Sequence, residues 1–235
     1  MATTTIGAPG VTFPDSTVQA SATTGVPVLN VYTSSSTWTK PTGLKAIKVT
    51  VVGGGGTGGS ATISGGPQAC GGGGGGGGGM AIRIYPAPSI PGPQPFTVGG
   101  AGSTSSFGVS PITVISATGG GAGTSGTSFG FNPGGAGGSG SSGQVNSTGS
   151  GGGLGFAQPQ GSNCGGLGGA SALGGGGRAY GAMAPTNNGT PGGAGSSYGG
   201  GGGGGVGGGA PVSPNTGTYP GGAGANGVVI VEEFY

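Results

Sequence analysis

The glycine run at residues 71–79 constrains the fold of this chain more than any other feature. It lies between Cys70 and Met80 and offers no side chain that could be buried. Glycine loses more conformational freedom on folding than any other residue, so an isolated run of this kind would not stay ordered. The run therefore forms either a flexible linker or part of a structure that backbone hydrogen bonds hold together.

The rest of the composition favours the ordered alternative. Glycine accounts for 72 of the 235 residues, yet only 3% of the chain is charged, whereas disordered chains are usually rich in charge. Polyproline-II segments have three residues per turn and no internal hydrogen bonds, so glycine segments of this type can pair with neighbours on several sides. We therefore predict a packed bundle of such rods, in which replacement of Gly75 by valine destabilises the fold as a core mutation would.

Apolar patterns predict β-strands around the glycine tracts. In the alternating segment 44–52, Ile47 and Val49 share one face of a half-buried strand. Further strands are predicted at residues 28–33, 80–85, 96–98, 105–107, 112–116 and 227–235. The expected fold class is an all-β framework, with a small sandwich-like sheet, that carries a bundle of polyproline-II-type glycine rods and has little or no α-helix.

These elements divide the chain into two predicted parts. Residues 1–26 form an N-terminal attachment or oligomerisation arm, and residues 27–235 form one glycine-rich domain. Within that domain the β-framework covers residues 28–118 and 227–235, because a terminal apolar strand must pair with strands already built. Residues 119–226 are an insertion of short glycine rods joined by turns, without a strict period.

The chain lacks the side chains that catalysis usually requires. It has no histidine, and Glu232 and Glu233 are neighbours in a predicted strand, so their side chains face opposite ways. A general acid/base pair, a Ser-His-Asp triad and a histidine metal site cannot be assembled. For Cys70 and Cys164 we favour free, buried thiols over a disulfide, and nothing basic is available to activate them. We therefore expect no enzymatic activity, no cofactor and no metal.

Charge and hydropathy argue against two further classes of partner. The net charge is +2, and the one weak basic cluster, at residues 40–48, is interpreted as the solvent face of a strand, so we expect no nucleic acid. No stretch approaches the roughly 20 apolar residues of a membrane-spanning helix, so we expect no membrane insertion. The first residues lack the basic start and apolar segment of a secretory signal, so we expect assembly in a cytoplasm.

Several motifs follow one another in a defined order along most of the chain. They are WTKP at 38–41, IKVTVVGGGG at 47–56, FTVGGAG at 96–102, TSSFG at 104–108, SATGGG at 116–121 and GANGVVIVEE at 224–233. Together they resemble the glycine-rich domain of bacteriophage and prophage tail fibre and virion proteins, and the expected rods are similar to the polyglycine-II helices of phage tip adhesins. Residues 11–19 are similar to a short segment that often precedes fibre domains in phage tail proteins.

The resemblance implies a component of a virion. It implies contacts with other virion proteins through the N-terminal arm, and a homo-oligomer, with a trimer expected. A tail- or fibre-associated protein of this kind would bind a bacterial surface receptor, either a saccharide or an outer-membrane protein. The alternatives are a capsid or tail decoration or fibre protein with a purely structural role, and a non-viral surface or matrix protein.

In the receptor-binding hypothesis, recognition would lie in the loops that join the rods. Loops tolerate sequence change, whereas the rods cannot, and aromatic and amide side chains suit saccharide and protein surfaces. Any one of these residues could instead be a surface residue without a contact. The expected contact residues are Phe129, Phe131, Asn132, Tyr180, Met183, Asn187, Asn188, Tyr198 and Tyr219.

Overall fold

The structure of the chain is a computed structural model that describes residues 25–64, 69–158, 162–183, 189–208 and 216–235 together with three short N-terminal strands. These strands form an antiparallel sheet in the order β1-β2-β3, and most other residues of the predicted arm lie outside the described part. Their bounds are β1 (Thr5–Gly7), β2 (Gly10–Thr12) and β3 (Val18–Gln19).

The described residues contain many short strands and almost no helix. The strands up to residue 117 are β4 (Val28–Tyr32), β5 (Ser36–Trp38), β6 (Ala46–Val52), β7 (Ala61–Ser64), β8 (Cys70–Gly71), β9 (Met80–Pro86), β10 (Gln94–Thr97), β11 (Ser105–Phe107) and β12 (Ile115–Ala117). Those beyond it are β13 (Gly130–Asn132), β14 (Gly140–Ser141), β15 (Val145–Ser147), β16 (Gly155–Ala157), β17 (Ser162–Cys164), β18 (Gly181–Met183), β19 (Val206–Gly207), β20 (Thr216–Tyr219) and β21 (Val228–Phe234). A single 3₁₀ turn, Ala87–Ser89, is the only helical element among these residues.

Two five-stranded antiparallel sheets pack face to face. Their strand orders are β15-β9-β6-β21-β4 and β14-β12-β11-β10-β5. The side chains between them form the main hydrophobic core, in which Val49 and Val51 of the first sheet and Phe107 and Ile115 of the second are fully buried. The predicted all-β framework is therefore confirmed, and the terminal strand β21 pairs with both β4 and β6.

Strand β6 owes its position to its alternating sequence. Ile47 faces the core with 0% of its surface exposed, whereas Lys48 lies on the opposite face, where its Nζ is 2.8 Å from Oε1 of Glu232. The predicted faces of this strand are confirmed. The strand predicted at 112–116 begins only at Ile115, and the carbonyl of the preceding Thr113 accepts a hydrogen bond from the Tyr85 hydroxyl at 2.6 Å.

Glu233 faces inward, opposite to Glu232, as the alternation of a strand predicts. Its side chain is 6% exposed, and its Oε1 accepts a hydrogen bond from Nε1 of Trp38 at 2.7 Å. Its Oε2 accepts a second bond from the hydroxyl of Tyr235 at 2.9 Å, and this bond raises the pKa of Tyr235. The buried carboxylate thus connects β5 to the C-terminal strand.

Glycine segments run back and forth between the sandwich and the opposite end of the molecule. We call them rods, because they are extended, lie outside the sheets except at their first residues and form hydrogen bonds with one another. The rods that run away from the sandwich are 53–59, 118–124, 149–154, 174–178 and 199–205. The rods that return are 71–79, 133–139, 164–170, 190–195 and 220–226.

The rod 71–79 is the centre of this bundle. Six other rods surround it, and each rod of this ring is hydrogen-bonded to the next, so the ring is closed. In order around the ring they are 53–59, 118–124, 133–139, 149–154, 164–170 and 199–205. A rod with neighbours on all sides has no direction in which a side chain could point.

The central rod meets its neighbours with a repeat of three residues. The N–H groups at positions 72, 75 and 78 donate to rod 199–205, those at 73, 76 and 79 to rod 118–124, and those at 74 and 77 to rod 149–154, at 2.8–3.1 Å. Its carbonyls accept bonds from the other three rods of the ring. Three residues per turn is the repeat of a polyproline-II helix, so the predicted rod bundle is confirmed.

The second long glycine run, 199–205, is enclosed in the same way. Its surrounding rods are 53–59, 71–79, 164–170, 174–178, 190–195 and 220–226. Every residue of both enclosed rods is buried, and a Cβ added at any of them would lie closer than 3.0 Å to a neighbouring backbone atom. Real Cβ atoms do not approach so closely, so these rods require glycine throughout.

Two rods at the surface repeat two glycines and one larger residue. In rod 133–139 the larger residues are Pro133, Ala136 and Ser139, and all of them are exposed. Rod 164–170 has the same spacing, with Leu167 at 62% exposure. The glycine tracts share no strict period along the chain, but these two surface rods each have a period of three, which sequence analysis missed.

The predicted framework and the predicted insertion each contribute strands to the sandwich and rods to the bundle. The predicted insertion supplies β14 and β15, which pair with β12 and β9 of the sandwich. The predicted framework in turn supplies rods 53–59 and 71–79. Rods from both parts therefore interleave in one hydrogen-bonded bundle.

The substitution Gly75→Ala tests the requirement for glycine at the centre. Its Cβ would lie closer than 3.0 Å to the carbonyl of Gly56, so the rods must separate and weaken bonds such as that from the Gly56 N–H to the Gly76 oxygen (2.8 Å). We expect the free energy of unfolding, measured by chemical denaturation, to fall by about 2–4 kcal/mol.

Gly151→Ala is the matched control in a surface rod. Gly151 is exposed, and its Cβ would meet nothing closer than the Gly135 oxygen at 3.5 Å. Stability should be unchanged or rise by up to about 1 kcal/mol, because alanine restricts the unfolded chain. Equal effects at the two positions would contradict the packing of the rods.

The substitution Glu233→Ala tests the buried carboxylate. It leaves the indole N–H of Trp38 buried without its partner, so we expect thermal unfolding to show a loss of about 1–3 kcal/mol. Glu232→Ala, which removes only the ion pair with Lys48 on the sheet surface, should cost no more than about 1 kcal/mol. A loss for Glu233→Ala no larger than that of this control would show that the carboxylate does not stabilise the sandwich.

Candidate functional site

The rod bundle separates two ends of the molecule. The rods begin or finish at the sandwich on one side and at short loops and strands on the other. A rod of seven residues spans about 20 Å at the polyproline-II rise of about 3.1 Å per residue. We call the two sides the sandwich end and the loop end.

Short antiparallel strands close the loop end. β13, β16, β17 and β18 form a four-stranded sheet, and β20 with β7 and β19 with β8 form two-stranded ones. In the last pair, Cys70 and Gly71 at the start of the central rod lie opposite Gly207 and Val206. The loop end is therefore a direct continuation of the rods.

The structure brings most of the predicted contact residues to the loop end. Phe129, Phe131 and Asn132 lie in or beside β13. Tyr180 immediately precedes β18, and Tyr219 is the last residue of β20. Residues far apart in the sequence are thus collected on one side of the molecule.

Aromatic side chains are exposed at the loop end. Phe131 is 76% exposed, and Phe129 and Tyr180 are each 39% exposed. Phe131 pairs directly with Phe156 across β13 and β16, so the two rings lie on the same face of the sheet. Phe156, which is half-buried, was missed in the sequence, although phenylalanine follows glycine in both strands.

Asn132 is held by the bundle. Its Nδ2 donates a hydrogen bond of 2.8 Å to the carbonyl of Gly71, at the start of the central rod. Its side chain therefore closes the end of this rod, and its amide oxygen and second N–H remain for a ligand. Its role as a receptor contact stays a prediction.

Tyr219 packs on a second, smaller core with Ala61, Ile63 and Cys70. Burial raises the pKa of the Cys70 thiol to about 11, so this thiol stays protonated at neutral pH. Cys164 is likewise free, and burial raises its pKa. The prediction of free thiols is confirmed, although Cys164 is only half-buried.

Three further predicted contact residues are only partly described. Met183 is the last residue of β18 and pairs with Ser162 of β17, which places its backbone at the loop end. Asn187 and Asn188 lie outside the described residues, between β18 and Gly189. Their predicted contacts stay predictions.

Tyr198 lies at the opposite side, the sandwich end. It immediately precedes rod 199–205, and the N–H of Gly199 donates to the carbonyl of Asn226 just before β21, at 2.9 Å. The structure therefore separates Tyr198 from the predicted contact residues described at the loop end by the length of the bundle.

The loop end is almost uncharged. Arg178, which is exposed, carries the only charge between residues 119 and 226. Within the described ranges, no group of histidine, cysteine, aspartate and glutamate could hold a metal ion, and no helix is long and apolar enough to span a bilayer. Recognition at this end would rest on aromatic rings, hydroxyls and amides.

Comparison with known proteins gives one result. No curated protein matches the chain. The family described as glycine-rich domain matches over residues 30–233, which extend from β4 to β21 and include all the rods. Because the match covers most of the sequence, the chain belongs to the glycine-rich domain family.

Proposed function

We propose that this protein is a bacteriophage virion component, associated with the tail or its fibres, that binds a receptor on the bacterial surface through its loop end. It acts as a binding protein without catalytic activity. The observation that carries the proposal is the position of Phe131, the most exposed aromatic side chain among the described residues, at the end of a stiff bundle opposite the sandwich.

The point at which the chain enters the sandwich supports this orientation. Val28, at the start of β4, pairs with Glu233 near the end of β21, whereas the start of β21 pairs with Val52 beside the first rod. The N-terminal arm thus joins the sandwich on its side away from the rods. In the proposal the arm binds other virion proteins in a homo-oligomer, with a trimer expected, and the loop end points outward.

The bundle supports presentation of the loops at a fixed distance. Loop-end strands begin where rods end, and both enclosed rods are fully buried and hydrogen-bonded. A rigid scaffold lowers the entropy that binding must remove. Exposed aromatic rings bury large areas with few rotatable bonds, which suits them to saccharide or protein receptors.

The test measures binding of the fluorescently labelled protein to a panel of bacterial species by flow cytometry. We expect binding to at least one species, and we expect Phe131→Ser to reduce it by at least about tenfold. Leu173→Ser is the control, because Leu173 is 44% exposed but lies in a turn between rods at the sandwich end. This variant should bind like the parent protein.

Two outcomes would contradict the proposal. One is the absence of binding to every species, and the other is equal binding by the Phe131→Ser and Leu173→Ser variants and the parent. Phage particles that lack the protein, yet adsorb normally and lose their integrity, would instead show the purely structural role.

A further inference from the structure

A groove lies at the sandwich end, where the sandwich meets the bundle. Its volume is about 420 Å³, within the range of small-molecule sites. Three separate segments form its walls: the loop after β4 with Thr33, the turn with Ser197 and Tyr198, and the segment 224–227 that leads into β21. The groove is separate from the loop end and has no part in the function proposed above.

The polar side chains of the groove are free to bind a ligand. Thr33 and Ser197 contribute hydroxyls, and Asn226 contributes an amide. None of these side chains is engaged in a hydrogen bond with the described part of the chain, and Asn226 is exposed. Hydroxyls and an amide can each both donate and accept, as the hydroxyls of a sugar do.

Tyr198 supplies an aromatic surface beside these polar groups. Its side chain is half-buried, and its backbone is fixed on both sides. Its N–H donates to the carbonyl of Leu173 at 3.3 Å, and its own carbonyl accepts a hydrogen bond from Oγ of Ser171. A tyrosine ring combines an apolar face with a polar hydroxyl, which matches the apolar and polar faces of a pyranose ring.

The walls of the groove are held by the bundle before any ligand binds. The N–H of Gly195 donates to the carbonyl of Ala223, and that of Gly227 donates to the carbonyl of Gly99, each at 2.9 Å. A preformed site loses little conformational entropy on binding. Positions 195, 224 and 227 are glycines, so no side chain covers the backbone there and a ligand can contact it.

We propose that this groove binds an uncharged saccharide. No charged residue lines it, so a phosphate, a carboxylate or a cation would find no opposite charge. One or two sugar units would pack a C–H face on Tyr198 and exchange hydrogen bonds with Asn226 and the two hydroxyls. This is a second binding site, about 20 Å from the loop end at the polyproline-II rise.

The experiment is a titration of the ¹⁵N-labelled full chain with maltotriose, cellotriose, galactotriose and N,N′,N″-triacetylchitotriose, followed by NMR. We expect at least one of these sugars to shift the backbone amides of Gly195 and Gly227 and to leave those of the loop end unchanged. Asn226→Ala should weaken this binding by about tenfold through the loss of its hydrogen bonds. Tyr198→Ala should abolish the shifts.

The control is Phe131→Ser at the loop end, which should bind the same sugar as the parent protein. Because Tyr198 is half-buried, its replacement could disturb the fold; the exposed Asn226 provides the independent variant. The proposal is overturned if no sugar shifts the groove amides, if the shifts occur at the loop end alone, or if Asn226→Ala binds as tightly as the parent. These results leave the cell-binding test of Phe131 unaffected, so the two proposals fail separately.

Discussion

The structure depends on close approach between backbones that carry no side chains. At the centre of the bundle, a Cβ on Gly75 would lie closer than 3.0 Å to the carbonyl oxygen of Gly56, so there is no room for it. The N–H of Gly75 donates to the carbonyl of Gly202, and its own carbonyl accepts a bond from Gly169, both at 2.8 Å. Directional hydrogen bonds thus replace the contacts of an apolar core. The sandwich, by contrast, has a core of apolar side chains, and it fixes strands β6 and β12, from which rods 53–59 and 118–124 start.

Side chains at the surface limit the size of the bundle. An exposed rod of pure glycine would present unpaired N–H and C=O groups on which a further rod could pack, as the edge of a sheet does. In surface rods 133–139 and 164–170 every third position carries a larger residue, such as Ala136, Leu167 or Ala170, that points outward. These side chains prevent closer approach from outside. The same three-residue turn therefore demands glycine inside and permits side chains outside.

Much of this fold could be predicted, because strand β6 shows its buried face through Ile47 and Val49 and the glycine runs exclude a core of side chains. The order of the rods around the centre could not, since glycine carries no pattern that identifies a neighbour. The loop end shows the same limit. The aromatic residues were recognisable as loop residues, but the inward bond of Asn132 and the place of Tyr198 depend on the direction in which each rod runs.

Amide hydrogen exchange of the central rod tests the account most directly. The N–H groups of residues 72–79 all donate to neighbouring rods, so they can exchange only when the bundle opens. We predict that they exchange as slowly as Val49 and Val51 in the core of the sandwich, with the free energy of global unfolding. Exchange of these glycines at the rate of an unstructured chain, while the sandwich stays protected, would show that the run is a linker and would contradict the account.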